Sequence, residues 1–217
     1  MLKDNSKRAY HLIIIFSIII VVLIIAIISE TLELSLLEKI LNGKNLTQNE
    51  INTSDLRSGI IAVIQAVTYL ISIFLFLNWF RRAYGNLLRA GIKTKYSEKW
   101  AIWSFLVPII SLFRPYLIME EIWTETQKAI KLRDHKFYAN YNTTPIFFWW
   151  ILFISSHLVG NYILKKVLKE ETIEEMIIIT KAYLISDVIH IIEASIVMLI
   201  IYRISIMENM LFSLNKR

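Results

Sequence analysis

Four long apolar blocks constrain the fold of this chain more than any other feature of its sequence. They cover residues 11–29, 58–80, 145–164 and 177–204 of the 217 residues. A helix rises about 1.5 Å per residue, so roughly 20 apolar residues cross the ~30 Å hydrocarbon core of a bilayer. The sequence therefore predicts an all-α integral membrane protein with four transmembrane helices, organised as a single membrane domain over residues 1–217.

The first block could also be read as a secretory signal peptide, because Lys3, Lys7 and Arg8 precede it. The apolar region of a signal peptide has about 7–15 residues and ends at a cleavage site of small residues. This block is longer, and the sequence across its C-terminal end, "IISETLELS", contains no such site. We therefore predict an uncleaved signal anchor.

Composition and missing motifs exclude several classes of function. The chain has no cysteine, so disulfides, thiolate zinc sites and thiol nucleophiles are excluded. It also lacks a glycine-rich phosphate loop and a Ser/His/Asp order, so a non-enzymatic protein without a cofactor is favoured. The net charge is +6, and the basic residues flank apolar blocks. Anionic lipid headgroups are therefore the predicted partner, rather than nucleic acid.

The stretch "WAIWSFLVPIISLF", Trp100–Phe113, is apolar but too short to cross a bilayer. Its fourteen residues make about 21 Å of helix. Pro108 should kink any helix there, and Arg114 should leave the α region because Pro115 follows it. A second helix should restart with Pro115 in its first turn. We predict a helix pair over about 97–133, either amphipathic and interfacial or shallowly re-entrant, between the second and third spans.

The second helix of this pair shows helical spacing of its apolar residues. Its predicted apolar face consists of Ile118, Met119, Ile122, Trp123 and Ile130, and its predicted polar face of Glu120, Glu121, Glu125 and Lys128. The residues predicted at the membrane interface are Arg81, Arg82, Trp100, Trp103, Pro108, Arg114, Pro115 and Trp123. The three tryptophans among them should lie at headgroup depth.

The distribution of lysine and arginine orients the chain. If residues 100–113 do not cross, 17 Lys and Arg lie on the side of the N-terminus and 7 on the other side. If they do cross, the numbers become 13 and 11. Lys and Arg are enriched in cytoplasmic loops, so we predict the first arrangement, with a cytoplasmic helix pair and two cytoplasmic termini.

The fourth block carries three ionisable residues on one stripe. Asp187, His190 and Glu193 fall within about 120° of the helix circumference, together with Ser186 and Ala194. A charge at the bilayer centre costs roughly 2.5–3.5 kcal/mol on insertion scales, so the stripe should face other helices. The predicted intramembrane polar cluster comprises Gln65, Thr68, His157, Asn161, Asp187, His190 and Glu193, with Ser72 and Ser156 as further candidates. Depth counting makes His157 and Asp187 the preferred pair.

Three functions could use this cluster. It could be an inert hydrogen-bonded network that fixes helix pairing. It could be the path of a small ion or proton channel or transporter. It could also be the metal site of an intramembrane hydrolase built from His157, His190, Asp187 and Glu193, although no metal-binding spacing such as HExxH is present. A homo-oligomer could bring copies of Glu193 together around an axis.

Two connecting segments are also predicted. Residues 30–57 are acidic and polar and should form a long outer loop, and Lys165–Glu175, "KKVLKEETIEE", should form a solvated helical extension.

Three motifs carry a family resemblance: "NWFRRAYGNL" (Asn78–Leu87), "WAIWSFLVPIISLFRPYLIMEEIW" (Trp100–Trp123) and "FWW" (Phe148–Trp150). They resemble the family of domain of unknown function 4328, most strongly between Asn78 and Leu164. The resemblance implies a multi-pass protein of the bacterial inner membrane and brings no assigned activity. The outer loop and the polar fourth span are expected to lie outside the family pattern. The favoured function is therefore lipid or partner interaction through the cytoplasmic helix pair.

Overall fold

The computed structural model describes residues 2–169 and 172–215. Regular structure in these ranges is helical. The helices are α1 (Ser6–Leu41), α2 (Gln48–Arg89), α3 (Trp100–Leu106), α4 (Arg114–Arg133), α5 (Thr144–Val167) and α6 (Ile173–Leu214), with a 3₁₀ turn at Ile110–Leu112. Lys216 and Arg217, which the orientation count includes, lie outside the described residues, as do Met1, Glu170 and Glu171.

Four of the described helices are long and apolar enough to cross a membrane, namely α1, α2, α5 and α6. Each contains one of the four apolar blocks of the sequence. The predicted all-helical fold with four such helices is thereby confirmed.

The predicted outer loop at residues 30–57 is wrong, because helices occupy most of it. α1 ends in a Schellman motif, in which Gly43 adopts φ +74° and the Lys44 N–H donates to the Lys39 carbonyl at 3.0 Å. α2 begins with a capping box. The Glu50 carboxylate accepts from the Thr47 N–H at 2.9 Å, and the Glu50 N–H donates back to Thr47 Oγ1 at 3.3 Å. Residues 42–47 alone connect the two helices.

The predicted helical extension over Lys165–Glu175 is interrupted, because Leu168 and Lys169 form a turn, and its residues Glu170 and Glu171 lie outside the described part of the chain. α5 ends at Val167, and α6 begins at Ile173. Lys165 and Lys166 lie in the last turn of α5, and Glu174 and Glu175 in the first turn of α6. Each charge therefore complements the dipole of its own helix end.

The described chain forms two compact units, and α1, α2, α5 and α6 each contribute to both. The first unit comprises residues 1–16, 71–150 and 195–217, and the second comprises residues 17–70 and 151–194. The single membrane domain stays a prediction.

The core of the first unit is built around α2 and α4. Its largest fully buried side chains are Leu12, Trp79, Phe80, Tyr84, Leu87, Ile118, Met119, Ile122, Ile130, Ile146 and Ile200. Phe76 stacks on Phe80 with ring centroids 5.5 Å apart, and Phe105 of α3 meets both rings edge-on. Aromatic packing therefore fixes α3 against α2.

α4 corrects two predictions. Glu121, expected on a polar face, is buried with Thr126 and Gln127. Trp123, expected on a surface that faces the membrane interface, is also buried within the protein, and its Nε1–H donates to the Asn140 carbonyl at 3.2 Å, whereas its depth in a membrane stays a prediction. α4 is therefore a core helix rather than an amphipathic surface helix, because neighbouring segments supply partners for its polar side chains.

The break between α3 and α4 is confirmed. α3 ends at Leu106, two residues before Pro108, and α4 carries Pro115 in its first turn. Between them Ile109 adopts φ +66°, the one positive φ at a non-glycine residue among the described positions. A β-branched side chain is strained in this region of backbone conformation.

This strain generates a stability prediction for two neighbouring isoleucines. Ile109→Gly should leave the melting temperature unchanged or raise it, since relief of about 1–2 kcal/mol offsets the entropic cost of glycine, about 0.5–1 kcal/mol. Ile110→Gly, in the 3₁₀ turn with ordinary φ, should lower it. Thermal unfolding of purified protein in detergent measures both, and equal losses for the two variants would contradict the strain.

Candidate functional site

An exposed apolar surface surrounds the break between α3 and α4. We call it the apolar tip, and it comprises Trp103, Leu106, Ile109, Leu112 and Phe113. Ile109 is 74% exposed and Leu106 60% exposed, whereas Ala101 and Ser104 on the opposite side of α3 are fully buried. α3 therefore has one face in the core of the first unit and one apolar face that no described residue covers.

The backbone of the apolar tip is largely hydrogen-bonded. The Ser111 N–H donates to the Val107 carbonyl at 2.9 Å, and the Leu112 N–H to the Ile109 carbonyl at 3.1 Å. Trp150 Nε1–H donates to the Leu112 carbonyl at 2.9 Å. Irregular backbone is tolerated at membrane depth only where its polar groups find such partners.

Arg114 lies at the base of the apolar tip and stacks on two aromatic rings. Its guanidinium carbon is 4.0 Å from the Trp100 ring centroid and 4.7 Å from that of Tyr96. Such cation–π contacts contribute about 0.5–2 kcal/mol each, depending on solvation. The predicted interface residues Trp100 and Arg114 are thus brought together.

Sequence reasoning missed the buried centre beneath this base. Tyr84 O–H donates to Glu121 Oε2 at 2.9 Å and accepts from the Tyr96 N–H at 3.0 Å. The other oxygen, Glu121 Oε1, accepts from the Lys95 N–H at 2.7 Å. The segment before α3 is therefore fastened to both α2 and α4. The aromatic and acidic residues could be seen in the sequence, but their pairing depends on tertiary contacts.

Two ionisable side chains of α4, Tyr116 and Lys128, have shifted pKa values. Burial raises the pKa of Tyr116, and a hydrogen bond from Lys128 Nζ to Glu125 at 2.7 Å raises the pKa of Lys128. Both shifts lead away from neutral pH, so Tyr116 stays neutral and Lys128 stays charged under physiological conditions.

The second unit contains the predicted polar cluster, with different pairs from those expected. Gln65 Nε2–H donates to Asp187 Oδ2 at 3.2 Å, which joins α2 to α6. Ser156 Oγ–H donates to Glu193 Oε2 at 3.4 Å, which joins α5 to α6. The ring of His190 lies 5.6 Å from that of Tyr69, between centroids, and Ser186 Oγ is 3.4 Å from His190 Nδ1.

Several residues of the predicted cluster do not take part in these pairs. His157 is exposed, and its Nδ1–H donates to the Phe153 carbonyl of its own helix at 2.8 Å. Asn161 is exposed, and the Thr68 hydroxyl donates to carbonyls of its own helix. Ser72 belongs to the first unit. The expected His157–Asp187 pair is replaced by Gln65–Asp187, because depth counting along a helix does not fix its rotation.

Glu30 joins the polar cluster, although its sequence position suggested an outer loop. Its carboxylate is close enough to Asp187 for electrostatic repulsion, and its Oε2 is buried without a hydrogen-bond partner among the described residues. Near it, Arg57 Nε–H donates to Ser29 Oγ at 2.9 Å and ties α2 to α1. The sequence analysis did not place Glu30 in the cluster, because it did not predict that α1 continues beyond the first apolar block.

Metal ligands are not assembled by this arrangement. Within the described residues, no group of three or more His, Asp or Glu side chains could hold a metal ion. The geometry thus gives no support to the hydrolase built from His157, His190, Asp187 and Glu193.

The fold and the comparisons with known proteins now identify the chain at two levels. Four helices with the length and composition to cross a membrane indicate the class of helical membrane proteins. The family model described as Domain of unknown function (DUF4328) matches residues 42–205, so the chain belongs to this family. The match includes the fourth span and residues 42–57 of the predicted outer loop, so the expectation that both lie outside the family pattern is wrong for these residues. Neither the curated proteins nor the solved structures contain a match.

The Gln65–Asp187 pair generates a second prediction. Gln65→Leu should leave the Asp187 carboxylate without its donor and lower the stability by about 1–3 kcal/mol. Thr68→Val serves as the control, because the Thr68 hydroxyl donates to the Ile64 and Gln65 carbonyls of its own helix and its loss should cost far less. Unfolding in detergent measures both variants. Equal stability of the two would show that the pair contributes little.

Proposed function

We propose that this protein is a non-enzymatic, multi-pass protein of the bacterial inner membrane that acts on lipid through the apolar tip. The main observation behind this proposal is that the residues of the apolar tip are exposed, whereas the opposite side of α3 is buried in the core. Contiguous exposed apolar surface on a protein usually marks an interaction site. In a membrane protein, such a surface next to the spans is suited to acyl chains.

The depth of the apolar tip supports this assignment. Phe105 packs on Phe76 and Phe80, which end the second apolar block, and Leu112 is bonded by Trp150 of the third block. The base of the tip is therefore at the level where two apolar blocks meet the polar segments. Exposed apolar residues at this level match the boundary between headgroups and acyl chains.

The charge around the tip supports a cytoplasmic position. Arg81, Arg82, Arg89, Lys93, Lys95 and Lys99 lie between the second apolar block and α3. Positive charge of this density favours the cytoplasmic side and its anionic lipids. In the proposed arrangement the apolar tip is shallowly re-entrant, the basic residues between the second apolar block and α3 are cytoplasmic, and both termini are cytoplasmic.

The experiment uses the absence of cysteine in the natural chain. A single cysteine is placed at Leu106, labelled with a nitroxide and reconstituted into vesicles. We expect high accessibility to oxygen and low accessibility to a water-soluble nickel chelate, since the tip should lie among acyl chains. Labels at Ser97 and Tyr138, both exposed, are the controls and should be accessible to the chelate.

The contrary outcome is a label at Leu106 that the chelate reaches as readily as Tyr138. The apolar tip would then face water, and the proposed lipid contact would be wrong. Labelling of Ser97 in intact cells tests the side of the membrane. An impermeant thiol reagent should reach it only after the cells are opened.

A second candidate function is a small ion or proton path through the second unit. The observation that favours it is the convergence of Gln65, Tyr69 and Ser156 on the ionisable stripe of α6. The buried Glu30 oxygen adds an acceptor without a partner among the described residues. Ionisable side chains inside membranes commonly serve such paths.

Flux measurements test this candidate directly. Purified protein in liposomes should conduct protons or alkali cations under an imposed gradient, and Glu193→Gln should reduce the flux at least tenfold. Glu38→Gln is the matched control, because Glu38 is exposed outside the cluster. An absence of flux in the wild type would leave the cluster as a structural network.

A further inference from the structure

Four arginines gather where α1 begins and α2 ends. Arg8 lies in the first turn of α1, and Arg81, Arg82 and Arg89 lie in the last turns of α2. The segment before α1 contacts the end of α2, because the Lys3 N–H donates to Asn86 Oδ1 at 3.1 Å and Asn5 Nδ2–H donates to the Trp79 carbonyl at 3.3 Å. Arg8 follows Asn5 by three residues and Arg82 follows Trp79 by three, and Arg82 is close enough to the other three arginines for electrostatic repulsion. Like charges held together in this way favour the presence of an anion.

Two nearby carboxylates, those of Glu98 and Glu208, already accept hydrogen bonds from other residues. Glu98 accepts from Arg81 Nε–H at 3.3 Å and from Arg89 Nη2–H at 3.0 Å. Glu208, which also acts electrostatically on Arg82, accepts from Asn86 Nδ2–H at 2.8 Å and from Asn5 Nδ2–H at 3.0 Å. Neither carboxylate forms an ion pair with Arg8 or Arg82 within residues 2–169 and 172–215.

Gly85 fixes the Glu98 side of this cluster. A Cβ at position 85 would lie 2.6 Å from Arg89 Nη1 and 2.7 Å from Glu98 Cδ. The ion pair therefore packs directly on the backbone of α2, where a larger residue would displace it. Arg81 and Arg89 pair with Glu98, although Arg89 Nη1 is buried without a hydrogen-bond partner among the described residues. Arg8 and Arg82 are half-buried and form no hydrogen bond or ion pair within the described part of the chain.

The positions of Arg8 and Arg82 in the sequence indicate which kind of anion they bind. Arg8 shortly precedes the first apolar block, and Arg82 shortly follows the second. Both therefore lie beside the ends of membrane-crossing segments, where lipid phosphates are concentrated. Guanidinium groups bind phosphate oxygens through paired N–H donors.

We propose that Arg8 and Arg82 bind the phosphate of an anionic lipid headgroup. The proposal rests on the lipid-contact function given above, and adds the headgroup chemistry and the two residues that recognise it. Arg81, Arg89 and Glu98 act as positioning residues, because their ion pairs hold the end of α2 in place beside the site.

The experiment compares two spin-labelled lipids in vesicles of phosphatidylcholine that contain the full chain. Spin-labelled phosphatidylglycerol should be immobilised by the protein in preference to spin-labelled phosphatidylcholine. Each arginine should contribute about fivefold to this preference. The double variant Arg8→Gln/Arg82→Gln should lose most of it. The control Lys131→Gln/Lys136→Gln removes the same charge at two exposed positions outside the basic segment between the second apolar block and α3, and it should retain the preference.

An unchanged preference in Arg8→Gln/Arg82→Gln would overturn the proposal. If that variant does not fold, Arg8→Lys/Arg82→Lys replaces it. This variant keeps the charge but loses the paired donors, so a reduced preference is expected and an unchanged one overturns the site. Equilibrium dialysis with inorganic phosphate forms the other arm. Phosphate binding without any lipid preference would make a free phosphate the ligand and overturn the lipid assignment.

The same vesicles separate this proposal from the proposed function. A nitroxide at Leu106 that remains among acyl chains while lipid preference is absent contradicts the headgroup site alone. A nitroxide at Leu106 that faces water contradicts the lipid contact of the apolar tip.

Discussion

The structure depends on the rule that polar groups near lipid must find partners within the protein. Four long helices satisfy their backbones internally. The irregular residues between α3 and α4 meet the same requirement with short local hydrogen bonds and with one bond from Trp150 Nε1–H to the Leu112 carbonyl. The rule also explains the side chains. Glu121 is buried because Tyr84 and the Lys95 N–H satisfy it, and Asp187 because Gln65 does.

The sequence predicted those features that depend on local physics. Block length predicted four helices long and apolar enough to cross a membrane, and the positions of Pro108 and Pro115 predicted where α3 ends and α4 restarts. The helix ends around residues 42–47 were also open to prediction, since Gly43 and the Thr47–Glu50 capping box are local signals. Assigning a polar segment to a loop on composition alone led to the error there.

Tertiary partners were beyond the reach of the same reasoning. The helical spacing of α4 placed Glu121 on a polar face, but the burial of that carboxylate follows from Tyr84, which lies 37 residues earlier in the chain. In the second unit, counting residues from the predicted outer end placed His157 and Asp187 at similar depth. It could not supply the rotation of α5, which leaves His157 exposed.

The hydrogen bond from Trp150 to Leu112 has a mechanical consequence. It links a rigid indole on α5 to the carbonyl that precedes Phe113, at the end of a short, strained turn. This bond fixes the distance between the turn and the N-terminal part of α5. A displacement of the turn away from α5 therefore costs this hydrogen bond unless α5 moves with it, and the Leu112 carbonyl would then need another donor.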